Sequence, residues 1–142
     1  MNRSYDRVIM NIDITIDEKE RLARKGQMTI VACAIRLRAA RYAGNLEQQD
    51  LAKLGGVSKS ALSNTERGDS FPSRDVMAHL YRAHRIDFNF ILNGDFAQLP
   101  GDVQDRLFPE LARAETEWDQ KEHSSPSPKQ PKIVRAIRRT VP

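Results

Sequence analysis

The sequence predicts an all-α protein, and two observations support that fold class. From residue 29 to residue 96, apolar residues recur at helical spacing in short segments that end at glycine or asparagine. Inside this stretch, Gln48–Gly68 has the pattern of two short helices joined by a glycine pair. We therefore expect four regions: an N-terminal extension at 1–28, a compact helical domain at 29–96, an acidic helical segment at 97–122 and a tail at 123–142.

The length, charge and cysteine content limit the kinds of protein that this chain can be. A chain of 142 residues with 30% charged residues and a net charge of +4 has room for one small domain with extensions. This basic excess permits a nucleic-acid partner without establishing one. The single cysteine, Cys33, rules out an internal disulfide. No signal-peptide pattern or ~20-residue apolar run is present, so we expect a cytoplasmic protein without a membrane partner.

The first 28 residues carry an ambiguous pattern. Alternate positions from 8 to 16 are apolar and mostly β-branched, which indicates a strand, but Ile9, Ile12 and Ile16 also lie at helical spacing. A lone strand needs a partner for its backbone, so a dimer ribbon and a partly ordered arm are both open hypotheses.

A short helix is predicted at Asp17–Arg24, after the alternating stretch. Asp17 is expected to cap it, Glu20 to stand at the capping-box position and Gly26 to end it.

Thr29–Ala43 is predicted to be the first helix of the domain. Its apolar stripe includes Cys33 and Leu37, so we expect a buried and inert thiol. Arg36 and Arg38 fall off this stripe, and we expect them to reach solvent or a phosphate.

The second helix of Gln48–Gly68 is poor in apolar residues. It is predicted to span Lys59–Arg67 after the N-cap Ser58, with Ala61 and Leu62 as its interior. Its exposed face carries hydrogen-bond donors and acceptors but no acidic cluster. Such a face suits the base edges of a DNA major groove, which is wide enough to admit one helix.

Residues 35–94 resemble the lambda-repressor/Cro-type helix-turn-helix domain, also called the XRE family. The residues that carry the resemblance are Gln48, Leu51, Ala52, Gly56, Val57, Leu62, Glu66, Arg67, Gly68, Pro72 and Phe90–Gly94. The resemblance implies a compact five-helix DNA-binding domain with double-stranded DNA as its partner, and we expect a homodimer. Thr65 departs from the family, which usually has a larger side chain there, so we expect looser packing behind the second helix.

The resemblance also implies a set of DNA-binding residues. They are Gln48, Ser58, Lys59, Ser60, Ser63, Asn64, Arg67 and Arg74. Lys59, Ser60 and Asn64 are expected to read bases, because the N-terminal end of the second helix enters the groove. The others are expected at phosphates, although for Ser58 the role of a cap alone is favoured.

A structural ion pair between Arg41 and Glu66 follows from the same resemblance. The pair would be partly buried and would tie the first helix to the second motif helix. The alternative is two exposed charges without mutual contact.

Two further helices complete the predicted domain. The first begins near Ser73, runs to Arg85 and buries Val76, Met77, Leu80 and Ala83. The second is Ile86–Leu92, whose Phe88, Phe90, Ile91 and Leu92 supply bulky core side chains. His79 and His84 are five residues apart, a spacing that does not place two ligands on one helical face, so no metal site is expected.

The C-terminal region changes character twice. Residues 98–122 predict a helix with an apolar edge formed by Val103, Leu107, Leu111, Ala114 and Trp118. Seven acidic residues against three basic ones suit packing on the domain or against a partner subunit, and do not suit DNA. Residues 123–142 are Ser/Pro-rich and then basic, which predicts a disordered tail that either adds salt-dependent phosphate affinity or is merely solvated.

The function expected from these observations is sequence-specific DNA binding by a transcriptional regulator, acting as a repressor through promoter occupancy. We expect no cofactor and no small-molecule site. An enzyme is not expected, since no nucleophile–base set, metal cluster or phosphate-binding glycine loop is evident. The alternative is a protein-interaction module, such as an antitoxin or phage-type control protein whose acidic helix engages a partner.

Overall fold

The computed structural model describes residues 14–124, with side chains up to residue 121, and contains seven α-helices in that range. They are α1 (Ile16–Ala23), α2 (Ile30–Ala43), α3 (Gln48–Leu54), α4 (Lys59–Glu66), α5 (Arg74–His84), α6 (Phe88–Asn93) and α7 (Gly101–Ser124). Residues 14–124 contain no strand, and the predicted all-α fold class is confirmed. Most of the alternating N-terminal stretch and nearly all of the predicted tail lie outside the described residues.

Helix α1 begins and ends differently from its prediction. Thr15 is the N-cap, because its hydroxyl accepts the amide of the third residue on at 3.1 Å. Asp17 therefore lies in the first turn, and Glu20 pairs with a lysine instead of completing a capping box. The helix ends before Gly26, because Arg24 itself adopts the left-handed conformation, with φ of 51°.

Arg36 is the side chain that holds the end of α1, and the expectation that it reaches solvent is wrong. The residue is fully buried. Its guanidinium donates to the carbonyl oxygens of Ala23 at 2.8 Å, Arg24 at 2.5 Å, Gln27 at 2.6 Å and Ile91 at 3.2 Å. One buried cation on α2 thus gathers the C-terminal carbonyls of α1 and one from α6, where helix dipoles favour positive charge.

Helix α2 lies at the centre of the molecule. Nearly every residue from Ala32 to Ala43 is buried, including positions that a single apolar stripe would leave exposed. It packs along α7 and also contacts α4 and α6. Because α2 is buried on all sides, other helices must cover all of its faces. Helix α7 covers one of them and therefore belongs to the same core as the predicted domain.

The apolar edge of α7 packs as predicted. Val103, Leu107, Leu111 and Ala114 are at most 1% exposed, and Trp118 packs against the same core. The helix continues through Pro109, which is exposed.

Acidic side chains of α7 contact basic side chains of α1 and of the predicted domain. Asp102 lies 2.6 Å from Arg85, and Glu115 lies 3.1 Å from Arg21. Such exposed pairs each contribute little to stability. They show that part of the acidic surface of α7 is matched by charges on its own chain.

Helices α5 and α6 supply the remaining core. Ser73 caps α5, since its hydroxyl accepts the amide of Val76 at 3.1 Å. Val76, Met77 and Leu80 are buried as predicted, but Ala83 is exposed, because it lies on the outer side of the last turn. In α6, the most buried residues are Phe90 and Ile91, whereas the other two predicted core residues are only partly buried.

No helix in the described part of the chain combines the length and apolar character needed to cross a membrane.

Candidate nucleic-acid interface

A tight turn joins α3 to α4. Gly56 has φ of 69°, a left-handed conformation that glycine adopts without a steric penalty. Its amide donates to Lys53 O at 3.2 Å, and the amide of Val57 donates to Ala52 O at 2.9 Å. These two bonds form a Schellman motif, which satisfies the last carbonyls of α3 and fixes the direction in which α4 leaves the turn.

Both ends of α4 are closed by local hydrogen bonds. At its start, Ser58 Oγ accepts the amide of Ala61 at 3.0 Å. At its end, the helix stops at Glu66, one residue earlier than predicted, and Gly68 takes a left-handed φ of 82°. The amide of Asp69 then donates to Asn64 O at 3.0 Å. Helix α4 is therefore a short element with two defined ends.

The two sides of α4 differ in exposure. Leu62, Thr65 and Glu66 are buried, while Ala61 is exposed and does not belong to the interior as predicted. The opposite side presents Lys59, Ser60, Asn64 and Arg67 to solvent, with Ser63 half-buried beside them. The structure thus brings the expected base readers together on one exposed face.

Glu66 is the buried anion behind this face. Its carboxylate accepts Arg41 Nε at 2.7 Å, Arg41 Nη2 at 2.9 Å and Gln48 Nε2 at 3.0 Å. Glu66 is 0% exposed and Arg41 is 7% exposed, so the alternative of two exposed charges is wrong. Burial opposes the charge of Arg41, but the hydrogen bonds and charge of Glu66 raise its pKa above the ordinary value. This bidentate pair connects α2 to α4.

Arg38 is a second arginine at this site, and the expectation that it reaches solvent or phosphate is wrong. Its side chain is only 14% exposed. Nη2 donates to the main-chain oxygen of Glu66 at 3.1 Å, and Nη1 lies 3.6 Å from a carboxylate oxygen of Glu117 on α7. No local pattern in the sequence indicates this role, because the role depends on where α4 and α7 pack.

The side-chain amide of Gln48 already makes one hydrogen bond within the protein. Its amide nitrogen donates to Glu66, so the residue links the start of α3 to the end of α4. Gln48 and Lys59 also line one open polar cleft of about 590 Å³, together with Arg113 of α7. The predicted phosphate contact and the predicted base reader thus border the same space.

Arg67 groups the polar side chains of the last turn. Its Nη1 donates to Ser63 Oγ at 2.7 Å, and its Nη2 donates to Asn64 Oδ1. Its Nε lies 3.6 Å from an Asp69 carboxylate oxygen. Asn64 is thereby oriented before any ligand binds. Arg74, by contrast, is highly exposed at the start of α5 and lies 3.4 Å from its neighbour Asp75.

Thr65 lies beside a shallow space. Its hydroxyl donates to Ala61 O at 3.0 Å and lies 3.2 Å from Ser70 Oγ. A groove of about 230 Å³ adjoins it and is also lined by Leu37 and the half-exposed Phe71. Thr65 itself is only 7% exposed, and the looser packing expected behind α4 stays a prediction.

The two histidines of α5 contact each other edge to face, with ring centroids 5.9 Å apart. Burial, followed by the charges of His79 and Arg106, lowers the pKa of His84. No group of three or more histidine, cysteine, aspartate or glutamate side chains suited to a metal ion occurs within the described residues.

Comparison with known proteins identifies the central segment. Residues 33–87 match a family model described as a helix-turn-helix domain. The match runs from the first turn of α2 to the cap of α6, and leaves α1, α6 and α7 outside it. No curated protein and no solved structure matches the chain significantly. The segment is therefore similar to a helix-turn-helix domain, in agreement with the resemblance at that level, and α3 and α4 lie where its two motif helices are expected.

Proposed function

We propose that this helix-turn-helix protein is a sequence-specific, Cro-type DNA-binding regulator that inserts α4 into the major groove. One observation supports the proposal above all. Lys59, Ser60, Asn64 and Arg67 form an exposed polar face on a helix whose opposite side is held by the buried carboxylate of Glu66. A rigidly held polar face is what base readout requires, because hydrogen bonds to base edges depend on geometry.

The base readers are assigned by chemistry. Lys59 donates to guanine O6 or N7, and Asn64 bonds the adenine edge through its amide. Ser60 stands beside Lys59 in the first turn, the part of a recognition helix that contacts bases. Arg67 fixes the orientation of Asn64 through their hydrogen bond.

Phosphate contacts position the helix on the duplex. We assign them to Gln48, Ser63, Arg67 and Arg74, with Ser58 acting mainly as the cap of α4. Contacts of this kind carry no sequence information, but they supply most of the salt-dependent affinity.

The proposed biological unit is a homodimer on paired half-sites. A two-fold dimer places two recognition helices one DNA turn apart, about 34 Å, which calls for an inverted repeat. Bound in this way at a promoter, the protein would act as a repressor by occupying the polymerase site. This role places it in the cytoplasm, at the nucleoid.

A protein-interaction module is less well supported. The apolar edge of α7 is buried in the core, and Asp102 and Glu115 pair with arginines of the same chain. Less of α7 is left for a partner than its sequence suggested. Copurification of a specific protein, combined with weak and salt-insensitive retention on DNA, would favour that alternative.

Asn64→Ala tests the assignment of the reading face. We expect a loss of about 1–3 kcal/mol confined to one base pair of the site, with the preference at that position flattened. Binding to single-base variants of the site, measured by fluorescence anisotropy, gives this profile. Asn89→Ala, which removes an exposed asparagine from α6, is the matched control and should leave binding unchanged. An equal loss on every sequence would mark a phosphate contact, and no loss would overturn the assignment.

A further inference from the structure

The C-terminal half of α7 contacts the end of α4. This contact involves a helix that lies outside the segment matched by the family model. Trp118 lies directly against Gly68: a Cβ atom at this glycine would lie 3.0 Å from Trp118 Cη2. Gly68 is the left-handed residue that ends α4. The indole therefore packs on the backbone that terminates the proposed recognition helix, and a Cβ atom at position 68 would crowd it.

A second contact joins α7 to α4 through polar groups. Glu117 accepts a hydrogen bond from the Tyr42 hydroxyl at 2.7 Å and lies 3.6 Å from Arg38 Nη1. Arg38 in turn donates to the main-chain oxygen of Glu66, the last residue of α4. The guanidinium of Arg113 stacks over the Tyr42 ring at 3.7 Å, so α7 contacts both the ring and the hydroxyl of this tyrosine.

The two halves of α7 have separate roles in packing. Val103 and Leu107, in the first half, are completely buried in the core and anchor the helix. Glu117 and Trp118, near the far end, are only partly buried, and both have contacts leading to the last residues of α4.

We propose that Trp118 and Glu117 are positioning residues for DNA recognition, which set the orientation of α4 without touching DNA. This inference rests on the proposed function of α4. The eight residues of α4 span about 12 Å. A tilt of about 5–10° at the Gly68 end would move the first turn, with Lys59 and Ser60, by about 1–2 Å. Productive contacts tolerate only about 0.5 Å.

Trp118→Ala is the direct test, with Trp118→Phe as the conservative variant. Affinity for the selected site is measured in the full chain at a temperature where every variant is fully folded. We expect Trp118→Ala to bind about 5–30-fold more weakly and to discriminate less between the site and random DNA, and Trp118→Phe to stay within about threefold of the parent.

Val103→Ala is the control for stability, because it removes buried volume from the anchoring half of the same helix. It should lower the melting temperature and leave affinity unchanged. Equal losses for Trp118→Ala and Val103→Ala would overturn the proposal, as would unchanged binding by Trp118→Ala.

Glu117→Gln and Asp119→Asn separate positioning from charge. Both remove one negative charge from the same turn of α7, but only Glu117 contacts Tyr42 and Arg38. We expect weaker discrimination in Glu117→Gln alone. The same change in both variants would indicate a general electrostatic effect and count against the proposal.

Hydrogen exchange provides a test of the contact between α7 and α4 that does not depend on DNA binding. In Trp118→Ala, amides of the last turn of α4 should exchange at least about tenfold faster, while those of α3 change little; Val103→Ala should not show this pattern. If the parent protein bound no DNA, the proposed function would fail, and unchanged exchange in α4 would separately overturn the contact's role.

Discussion

Arg36 is a buried cation whose hydrogen-bond partners are mainly main-chain carbonyls. Burial lowers the pKa of its guanidinium to about 10, so the group remains charged at neutral pH. No acidic side chain hydrogen-bonds to it within the described residues; instead it donates to carbonyls at the end of α1, in the following loop and in α6. Charge-assisted bonds to several carbonyls are stronger than neutral ones, and they replace the lost hydration.

Replacing Arg36 with methionine keeps the apolar stem and removes the donors. The carbonyls of Ala23, Gln27 and Ile91 would then be left without this partner in the interior, at about 1–3 kcal/mol each. We expect the free energy of unfolding to fall by roughly 3–5 kcal/mol, measured by urea denaturation monitored by circular dichroism. Arg82→Met, at an exposed position of α5, is the control. A loss similar to that of the control would contradict this role.

At the scale of elements, Glu66 is where three helices meet. Arg41 and Arg38 reach it from α2, Gln48 reaches it from the start of α3, and Glu66 itself ends α4. The carboxylate is fully buried and bonded at both oxygens. Because one anion satisfies donors from two other helices, its removal would affect the relative placement of all three.

Glu66→Gln leaves the Arg41 charge buried without its counter-ion. Breaking one partner of such a pair typically costs about 3–5 kcal/mol. The double variant Arg41→Met, Glu66→Met removes both charges and should recover part of that loss, since apolar replacements of buried pairs are often near neutral. Chemical denaturation of the three proteins gives the comparison. A double variant less stable than Glu66→Gln would contradict the claim that an unpaired buried charge causes the loss.

The element scale also shows what sequence patterns can and cannot predict. The order of α2–α6, the turn at Gly56 and the caps Ser58 and Ser73 follow from local chemistry, and the structure has them. The predicted cap Asp17 is wrong because Thr15 and Asp17 are both good caps, and only backbone geometry selects Thr15. The burial of Arg36 and Arg38 depends on neighbours that are distant in the sequence. The helical spacing of apolar residues carries no information about such neighbours.

At the scale of the whole molecule, α1 and α7 extend the helix-turn-helix domain into a larger core. The family match ends at residue 87, yet Phe96, Phe108 and Leu111 lie in the same buried cluster as Leu37 and Leu62. The apolar edge of α7 could be predicted from its spacing, whereas its contact with Gly68 could not. The contacts expected with DNA also depend on geometry that spacing alone does not supply.

Stability as a function of pH provides a whole-molecule prediction. Burial, then the charges of His79 and Arg106, lowers the pKa of His84 below its ordinary value of 6.5. The unfolded chain therefore binds this proton more readily, so stability should fall as pH drops through 6.5 and level off below the folded pKa. Thermal melts between pH 7.5 and 5 should show this slope, and His84→Gln should reduce it. An identical slope in the variant would rule out His84 as the source.

Selection of duplexes from a random pool by the full chain tests the central claim most directly. If α4 reads bases from a symmetric dimer, the recovered sequences should share an inverted repeat whose half-site centres lie about 10 base pairs apart. The motif should lose information at one position in each half-site when Asn64→Ala is used instead. Recovery of a pool without any shared motif, at a salt concentration where binding persists, would contradict sequence-specific recognition by this face.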